Sequence, residues 1–330
     1  MKTNTNKSLS ELAATNRAEP LNLLDCTIRV GGLMNDSRFD DKIVRAIYDC
    51  CADSGIDYME IGFKNSKKLF SPDKYGAWRF CNEDDILRII GGNKRGVKLA
   101  AMADAGKSDY KTDIIKKENS PLDLIRVACY SHQIPLALDM VKDAKDKGYE
   151  ATLNLMAICT LKESELSRDL EILSQSEADV IYLMDSYGSL FCDNVRYLMQ
   201  KYRRNLADAG KKIGFHAHNN LQLAFAKSIE AVECGVDFID ATISGLGRGA
   251  GNCAMELMLG YVGKDVRPSL KCAQKYIEPM RKDLGWGFAN PYMITGFLNE
   301  HPRDAMAFQE AANEGDIEAF FEEMLAKKEG

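Results

Sequence analysis

Two histidines separated by one residue are the strongest chemical signal in this sequence. His216 and His218 lie within residues 213–220 and are half of the four histidines in the chain. Because strand side chains alternate between two faces, this spacing directs both imidazoles to the same side. Two neutral imidazoles on one face are suited to binding a divalent metal ion. The alternative is a pair of polar side chains that hydrogen-bond to neighbouring backbone.

A glycine-rich segment follows the next apolar run. Residues 244–252 read Ser-Gly-Leu-Gly-Arg-Gly-Ala-Gly-Asn, with glycine at alternate positions. Because glycine lets backbone approach a ligand closely, Gly247 and Gly249 are candidate ligand-binding positions. Asn252 is a candidate metal ligand through its side-chain oxygen. The spacing does not match GxGxxG and so does not indicate a dinucleotide site; an ordinary flexible loop is the alternative.

Further polar residues fall at or just after the ends of apolar runs. Arg29 follows the first run and is suited to binding a carboxylate or polarising a carbonyl. Glu60 stands between apolar neighbours and needs a partner, for which Arg29 is the natural candidate. A structural ion pair and a catalytic role both stay open for Glu60. For His132, which follows the fourth run, a plain structural role and a catalytic role both stay open.

The chain repeats a short apolar run followed by a segment of helical periodicity. Eight such runs predict eight parallel strands joined by helices, which fits a (β/α)8 TIM barrel of the α/β class. They occupy residues 21–25, 56–63, 97–103, 122–128, 151–156, 180–185, 213–216 and 238–242. The expected organisation is a polar tail over 1–19, a barrel over 20–262 and a C-terminal helical extension over 263–330.

An open doubly wound sheet is the rival fold, and it usually has a glycine-rich phosphate turn after its first strand. Residues 25–32, Asp-Cys-Thr-Ile-Arg-Val-Gly-Gly, do not form that fingerprint. The barrel is favoured further because the polar candidates collect where strands end, and barrel enzymes build their sites on that rim. The long loop over residues 64–80 is expected to be either a lid over the rim or an oligomer contact.

Composition excludes several classes of function. The net charge of −6 argues against nucleic-acid binding. No apolar run approaches the roughly 20 residues that span a bilayer, and the N-terminus lacks the apolar stretch of a secretion signal. The ten cysteines contain no CxxC pair, and several lie inside apolar runs. We therefore expect a reduced, cytoplasmic protein.

Together these motifs resemble the DRE-TIM metallolyase superfamily, which is HMG-CoA lyase-like, over residues 20–262. The pattern is most similar to the 4-hydroxy-2-oxovalerate aldolase branch, through residues 214–220 and 245–252. Residues 70–81 resemble a group of "aldolase catalytic domain" proteins. Residues 288–292 resemble the aldolase C-terminal segment, where a tyrosine assists proton transfer, and the resemblance makes Tyr292 its counterpart.

The family motif D-x-T-L-R-D-G implies roles for individual residues. Its arginine, here Arg29, stabilises an enolate oxygen, and the aspartate after it binds the metal together with the two histidines. This chain has Val30 in place of that aspartate. Three explanations stay open: another carboxylate such as Asp25, Glu60 or Asp185 replaces the ligand; the site uses two histidines, an asparagine and water; or the metal reaction is lost.

The resemblance implies a carbon–carbon lyase that makes or breaks a bond through a pyruvate-like enolate. It implies a divalent metal, Mn²⁺ or Mg²⁺ first and Zn²⁺ as a further option, with a 2-oxo acid and an aldehyde or ketone as substrates. Proton transfer would fall to Glu60, His132 or Tyr292. A Claisen-type acyl-CoA condensing enzyme and a non-catalytic barrel subunit are the alternatives. A homo-oligomer, in particular a homodimer, and a dehydrogenase partner are further expectations.

Overall fold

The computed structural model describes residues 20–311 and 316–329. The expected tail over residues 1–19 lies outside these described residues. Eight strands form a closed barrel in sequence order, and every neighbouring pair is parallel. The strands are β1 (Asn22–Asp25), β2 (Tyr58–Phe63), β3 (Lys98–Asp104), β4 (Leu124–Cys129), β5 (Glu150–Leu155), β6 (Val180–Asp185), β7 (Lys212–Ala217) and β8 (Phe238–Ala241).

Helices connect the strands around the outside of the barrel. The longer connecting helices are Asp41–Ser54, Glu83–Ile90, Ile134–Asp146, Glu163–Ser174, Cys192–Leu206, Ala224–Glu233 and Met255–Val262. Short helices at Thr27–Gly31 and Tyr110–Asp113 follow β1 and β3. The chain then continues in the helices Arg267–Cys272, Arg281–Leu284, Asn290–Leu298, Pro302–Glu310 and Ile317–Glu329. The predicted TIM barrel with a C-terminal helical extension is therefore confirmed.

An apolar layer fills the amino-terminal half of the barrel interior. Tyr58 and Tyr182 pack against Phe238, with ring centroids 5.3 Å and 6.4 Å apart, and Leu24 and Val180 belong to the same buried cluster. This layer closes the barrel from below. Polar side chains farther along the strands consequently face the open carboxyl end, where all eight parallel strands finish together.

Two composition-based expectations can be compared with this structure. All ten cysteines lie among the described residues and are free thiols. Among the described residues, no helix has both the length and the apolar character needed to cross a membrane.

Candidate active site at the carboxyl end of the barrel

A cavity of about 400 Å³ opens at the carboxyl ends of the strands. Predicted site residues Arg29, His216, His218 and Tyr292 line it, and so does Val30. The remainder of the lining includes an apolar group from β2 to β6, namely Phe63, Met102, Ala128, Met156 and Met184. The cavity therefore combines basic and metal-ligating side chains with an apolar wall, which suits a small acid with a nonpolar part.

Each histidine is held by a hydrogen bond at Nδ1. In His216 this atom lies 3.0 Å from Asp240 Oδ2, and in His218 it lies 2.9 Å from the Asp185 carbonyl oxygen. Since both acceptors lack a proton, the Nδ1–H of each ring donates and Nε2 keeps its lone pair. The two ring centroids are 4.9 Å apart.

Burial favours the neutral form of both rings. It lowers the pKa of His216, although the hydrogen bond to Asp240 acts in the opposite direction. Burial and the neighbouring His216 ring hold the pKa of His218 well below its ordinary value. Neutral imidazoles with free Nε2 atoms are the form that binds metal ions.

Asn252 is fixed with its oxygen free. Its Nδ2 donates to the Leu246 carbonyl at 2.9 Å, while its buried Oδ1 has no hydrogen-bond partner. An antiparallel bridge places Asn252 opposite His218. The buried Nε2 of His216 is unpartnered as well. A buried polar atom without a partner is costly, so each of these two atoms would be stabilised by a bound ligand.

The two predicted glycines contact these side chains. A Cβ added at Gly247 would lie 2.0 Å from Asn252 Nδ2, and one added at Gly249 would lie 2.2 Å from Tyr292 Cε1. Gly249 also has a φ of +58°, which favours glycine. Glycine is required at both positions by the close approach of Asn252 and Tyr292, and neither glycine is part of the cavity lining.

The carboxylates considered as replacements for the missing aspartate have other partners. The Thr27 hydroxyl donates to Asp25 Oδ2 at 2.6 Å, and burial raises the pKa of Asp25 to about 7. Glu60 is paired with Arg29, and Asp185 is paired with Lys227. None of the three carboxylates lines the cavity, and neither does Asn252, so it is their existing partners that count against the carboxylates.

A second set of possible metal ligands lies deeper in the barrel. Ligand atoms of Cys26, His216 and Asp240 lie within 4.8 Å of one another. Burial raises the pKa of the Cys26 thiol well above its ordinary value, and only the thiolate is a good ligand. Asp240 is already ion-paired with Arg126. This deeper set is therefore a poor site for a divalent ion.

A chain of buried charges joins Arg29 to His216. Arg29 Nε donates to Glu60 Oε2 at 2.6 Å, and Arg126 Nη1 lies 3.0 Å from the same oxygen. Arg126 Nη2 then donates to Asp240 Oδ2 at 2.6 Å, which is the atom that accepts from His216 Nδ1. This alternation of positive and negative side chains orients Arg29 and His216 relative to each other.

A separate buried pair supports His218. Lys227 Nζ contacts Asp185 Oδ2 and donates to the His218 carbonyl at 3.1 Å. Lys227 and Asp185 are both fully buried. Lys227 thus connects the backbone of His218 to Asp185, whose carbonyl oxygen accepts the hydrogen bond from the His218 ring.

The structure does not bring His132 together with the other predicted residues. It is exposed, stacks against Tyr130 with a centroid separation of 5.9 Å, and is not part of the cavity lining. Sequence reasoning also missed Arg79, Arg126 and Arg248. The available signal for Arg126 was a charged side chain between Ile125 and Val127 in the apolar run 122–128.

The family model described as HMGL-like matches residues 20–271, so the chain belongs to the HMGL-like family. This confirms the resemblance seen in the sequence motifs.

The named relatives are lyases. The chain is 27% identical to an oxaloacetate decarboxylase from Mycobacterium tuberculosis, with 83% of this chain and 78% of that protein covered. It is also 27% identical to a 4-hydroxy-2-oxovalerate aldolase from Thermus thermophilus, with 83% of this chain and 82% of that protein covered.

Solved structures agree with the fold. The N-terminal domain of a putative aldolase from Bacteroides vulgatus is 29% identical and superposes with a TM-score of 0.77, covering 91% of this chain and all of that one. Hydroxymethylglutaryl-CoA lyase from Pseudomonas aeruginosa is 16% identical, with a TM-score of 0.64 and coverage of 80% of this chain and 93% of that one. At that identity the second likeness concerns the fold alone.

We predict that His216 and His218 both carry their proton on Nδ1 at pH 7. The acceptors at Nδ1 and the burial of both rings give this result. Long-range ¹H–¹⁵N correlation spectra of the metal-free protein would show the tautomers, with single histidine-to-glutamine variants for assignment. Spectra in which either ring carries its proton on Nε2 or is charged would contradict the prediction.

We predict that Arg126→Met lowers the free energy of unfolding by about 3–5 kcal/mol, because it leaves buried carboxylates without their counter-ion. Urea unfolding would measure the loss, and Arg126→Lys should recover part of it. Arg95→Met is the matched control, since Arg95 pairs with Asp49 at the surface and such pairs contribute little. An Arg126→Met protein as stable as the control would show that the chain of buried charges is not needed for stability.

Proposed function

We propose that this protein is a divalent-metal-dependent aldolase or lyase that makes or breaks a carbon–carbon bond through the enolate of a 2-oxo acid. The observation that carries the proposal is the pair of buried, unpartnered atoms His216 Nε2 and Asn252 Oδ1 beside a cavity lined by Arg29. Family membership and the lyase names of the relatives support it.

The ligands for the ion would be His216, His218 and Asn252. A divalent ion bound there supplies Lewis acidity to the oxygens of the 2-oxo acid. Asp240 supports His216 through the hydrogen bond to Nδ1, which orients the ring and raises the basicity of Nε2. Val30 leaves this donor set one anionic side chain short of the family motif.

Arg29 would stabilise the negative charge that develops on the enolate oxygen. Its Nε is occupied by Glu60, while Nη2 is buried without a hydrogen-bond partner. A donor that is fixed in place before reaction stabilises a developing charge without reorganisation. Glu60 does not line the cavity, so we assign it to positioning Arg29.

Tyr292 is our candidate for moving the proton. It lines the cavity, and burial raises the pKa of its hydroxyl, which keeps the group protonated near neutral pH as a general acid requires. Its ring packs directly on Gly249. His132, which does not line the cavity, is the weaker candidate for this role.

The size of the cavity favours a small substrate. A volume of about 400 Å³ accommodates a 2-oxo acid with a small aldehyde or ketone. The sequence has no cluster typical of a site for the nucleotide of an acyl-CoA, so we rank the Claisen reaction lower. A homo-oligomer and a dehydrogenase partner stay predictions.

The direct test is proton exchange. We expect pyruvate in D₂O to exchange its methyl protons in the presence of the protein and Mn²⁺, Mg²⁺ or Zn²⁺, as followed by ¹H NMR. Arg29→Gln should slow the exchange by about 10²–10³-fold, whereas the surface variant Arg45→Gln should not. Absence of exchange with every ion, together with no bound metal by elemental analysis, would contradict the proposal.

A non-catalytic barrel is the second candidate, and Val30 is the observation that favours it. Val30 lines the same cavity as both histidines, so a carboxylate at this position would face the proposed ion. We predict that Val30→Asp tightens Mn²⁺ binding by about tenfold or more, because ligand charge sets affinity for hard cations.

Val30→Asn is the matched control, since it has the same shape without the charge. Calorimetric titration would give the affinities and thermal melting would confirm folding. Equal Mn²⁺ affinity in the two variants would show that the ion binds away from residue 30. Tighter binding by Val30→Asp, with no exchange in any form of the protein, would favour the non-catalytic barrel.

A further inference from the structure

Arg79 lies in an aromatic cage at the wall of the cavity. Its guanidinium carbon is 4.8 Å from the Phe63 ring centroid, 5.2 Å from that of Phe70 and 4.8 Å from that of Tyr75. The side chain belongs to a short 3-10 helix, Ala77–Arg79, and only 6% of the residue is exposed. The cage fixes the guanidinium plane while its charge stays within the cavity lining.

The charge of Arg79 is not neutralised by an ion pair. Among the ion pairs formed by described residues, none involves Arg79, whose Nη2 donates to the Gly32 carbonyl at 3.2 Å. Its Nε is buried without a partner. Asp36 and Asp104 line the same cavity and act on Arg79 electrostatically, but among the described residues neither forms an ion pair with it. Because a buried charge without a counter-ion is costly, this arrangement calls for an anion from outside the chain.

The surroundings strengthen this requirement. Arg248 also lines the cavity, and within the described part of the chain it forms no ion pair; its Nη1 contacts Met306 Sδ at 3.7 Å. Arg29, in contrast, is paired with Glu60. Lys107, Asp36 and Asp104 also line the cavity, and no ion pair among the described residues includes any of them. Three cations therefore face two carboxylates, and Arg79 is the buried one of the three cations.

We propose that Arg79 binds a second anionic group of the substrate, a carboxylate or a phosphate at the end remote from the 2-oxo acid. A guanidinium fork recognises both groups through paired charged hydrogen bonds. The hydrogen bond to Gly32 connects Arg79 to the segment that carries Arg29, three residues earlier. The inference rests on the proposed function for the identity of the first group, and it makes the substrate a dianion rather than a neutral-ended 2-oxo acid.

The test separates the subsite from the reaction. Calorimetry on the metal-free protein would compare succinate with inorganic phosphate for the wild type, Arg79→Met, Arg79→Lys and Arg38→Met. Arg38 is the matched control because it is also an arginine whose Nη2 donates to backbone. Its acceptors are the Asp73 and Lys74 carbonyls in the loop over residues 64–80, at 3.1 Å and 2.6 Å. Thermal melting of each variant would establish that it folds.

We expect Arg79→Met to weaken binding of the preferred anion by about 10- to 100-fold, the usual range for a hydrogen bond to a charged group. Arg79→Lys should lose less, and Arg38→Met should match the wild type. Preference for succinate identifies the distal group as a carboxylate, and preference for phosphate identifies a phosphate. Binding unchanged in Arg79→Met, or no saturable binding of either anion by the wild type, would overturn the inference.

Pyruvate exchange provides the second readout. Pyruvate has no second anionic group, so Arg79→Met should slow its exchange by much less than the roughly 10²–10³-fold expected for Arg29→Gln. Loss of exchange in Arg79→Met alone, with folding intact, would show that Arg79 acts on the first group and would overturn the subsite. Absence of exchange in the wild type would count against the proposed function, while the succinate and phosphate titrations would still decide whether Arg79 binds an anion.

Discussion

The site depends on one buried chain of alternating charges inside the barrel. Arg29, Glu60, Arg126 and Asp240 follow one another in contact and end on His216. Each carboxylate meets at least one guanidinium, so the cost of burying every charge is offset by its neighbours. The chain of charges crosses the barrel from β2 through β4 to β8, so its contacts form only when the sheet is closed. Once formed, these contacts orient Arg29 at one end of the site and His216 at the other.

The position of Arg126 is set by what surrounds it. Its guanidinium carbon is 4.4 Å from the centroid of the Tyr182 ring. The Tyr182 ring in turn occupies the space that a side chain at position 214 would need. A Cβ at Gly214 would approach that ring to 2.4 Å. Below, the apolar layer around Phe238 closes the barrel. The charge chain therefore lies between a dry layer and the cavity, where its interactions are weakly screened.

The sequence predicted the features that depend on local pattern. Apolar runs located all eight strands to within about two residues, because parallel strands buried on both faces are nearly continuously apolar. The spacing of His216 and His218 likewise indicated a common side. Partners distant in sequence were harder: Arg126 and Asp240 are 114 residues apart, and no local pattern joins them. Only closure of the barrel makes them neighbours.

Two features that look unrelated in the sequence meet in the charge balance of the cavity. At Val30 the chain lacks the negative charge that the family motif would place in the cavity lined by both histidines. Arg79 adds a positive charge there and forms no ion pair with any described residue. Both changes shift the lining in the same direction. Electrostatic complementarity selects among partners by charge as well as by shape, so the proposed subsite would favour more anionic acids over neutral-ended ones. Val30 is therefore consistent with a change of substrate class. Its presence does not require that the reaction has been lost.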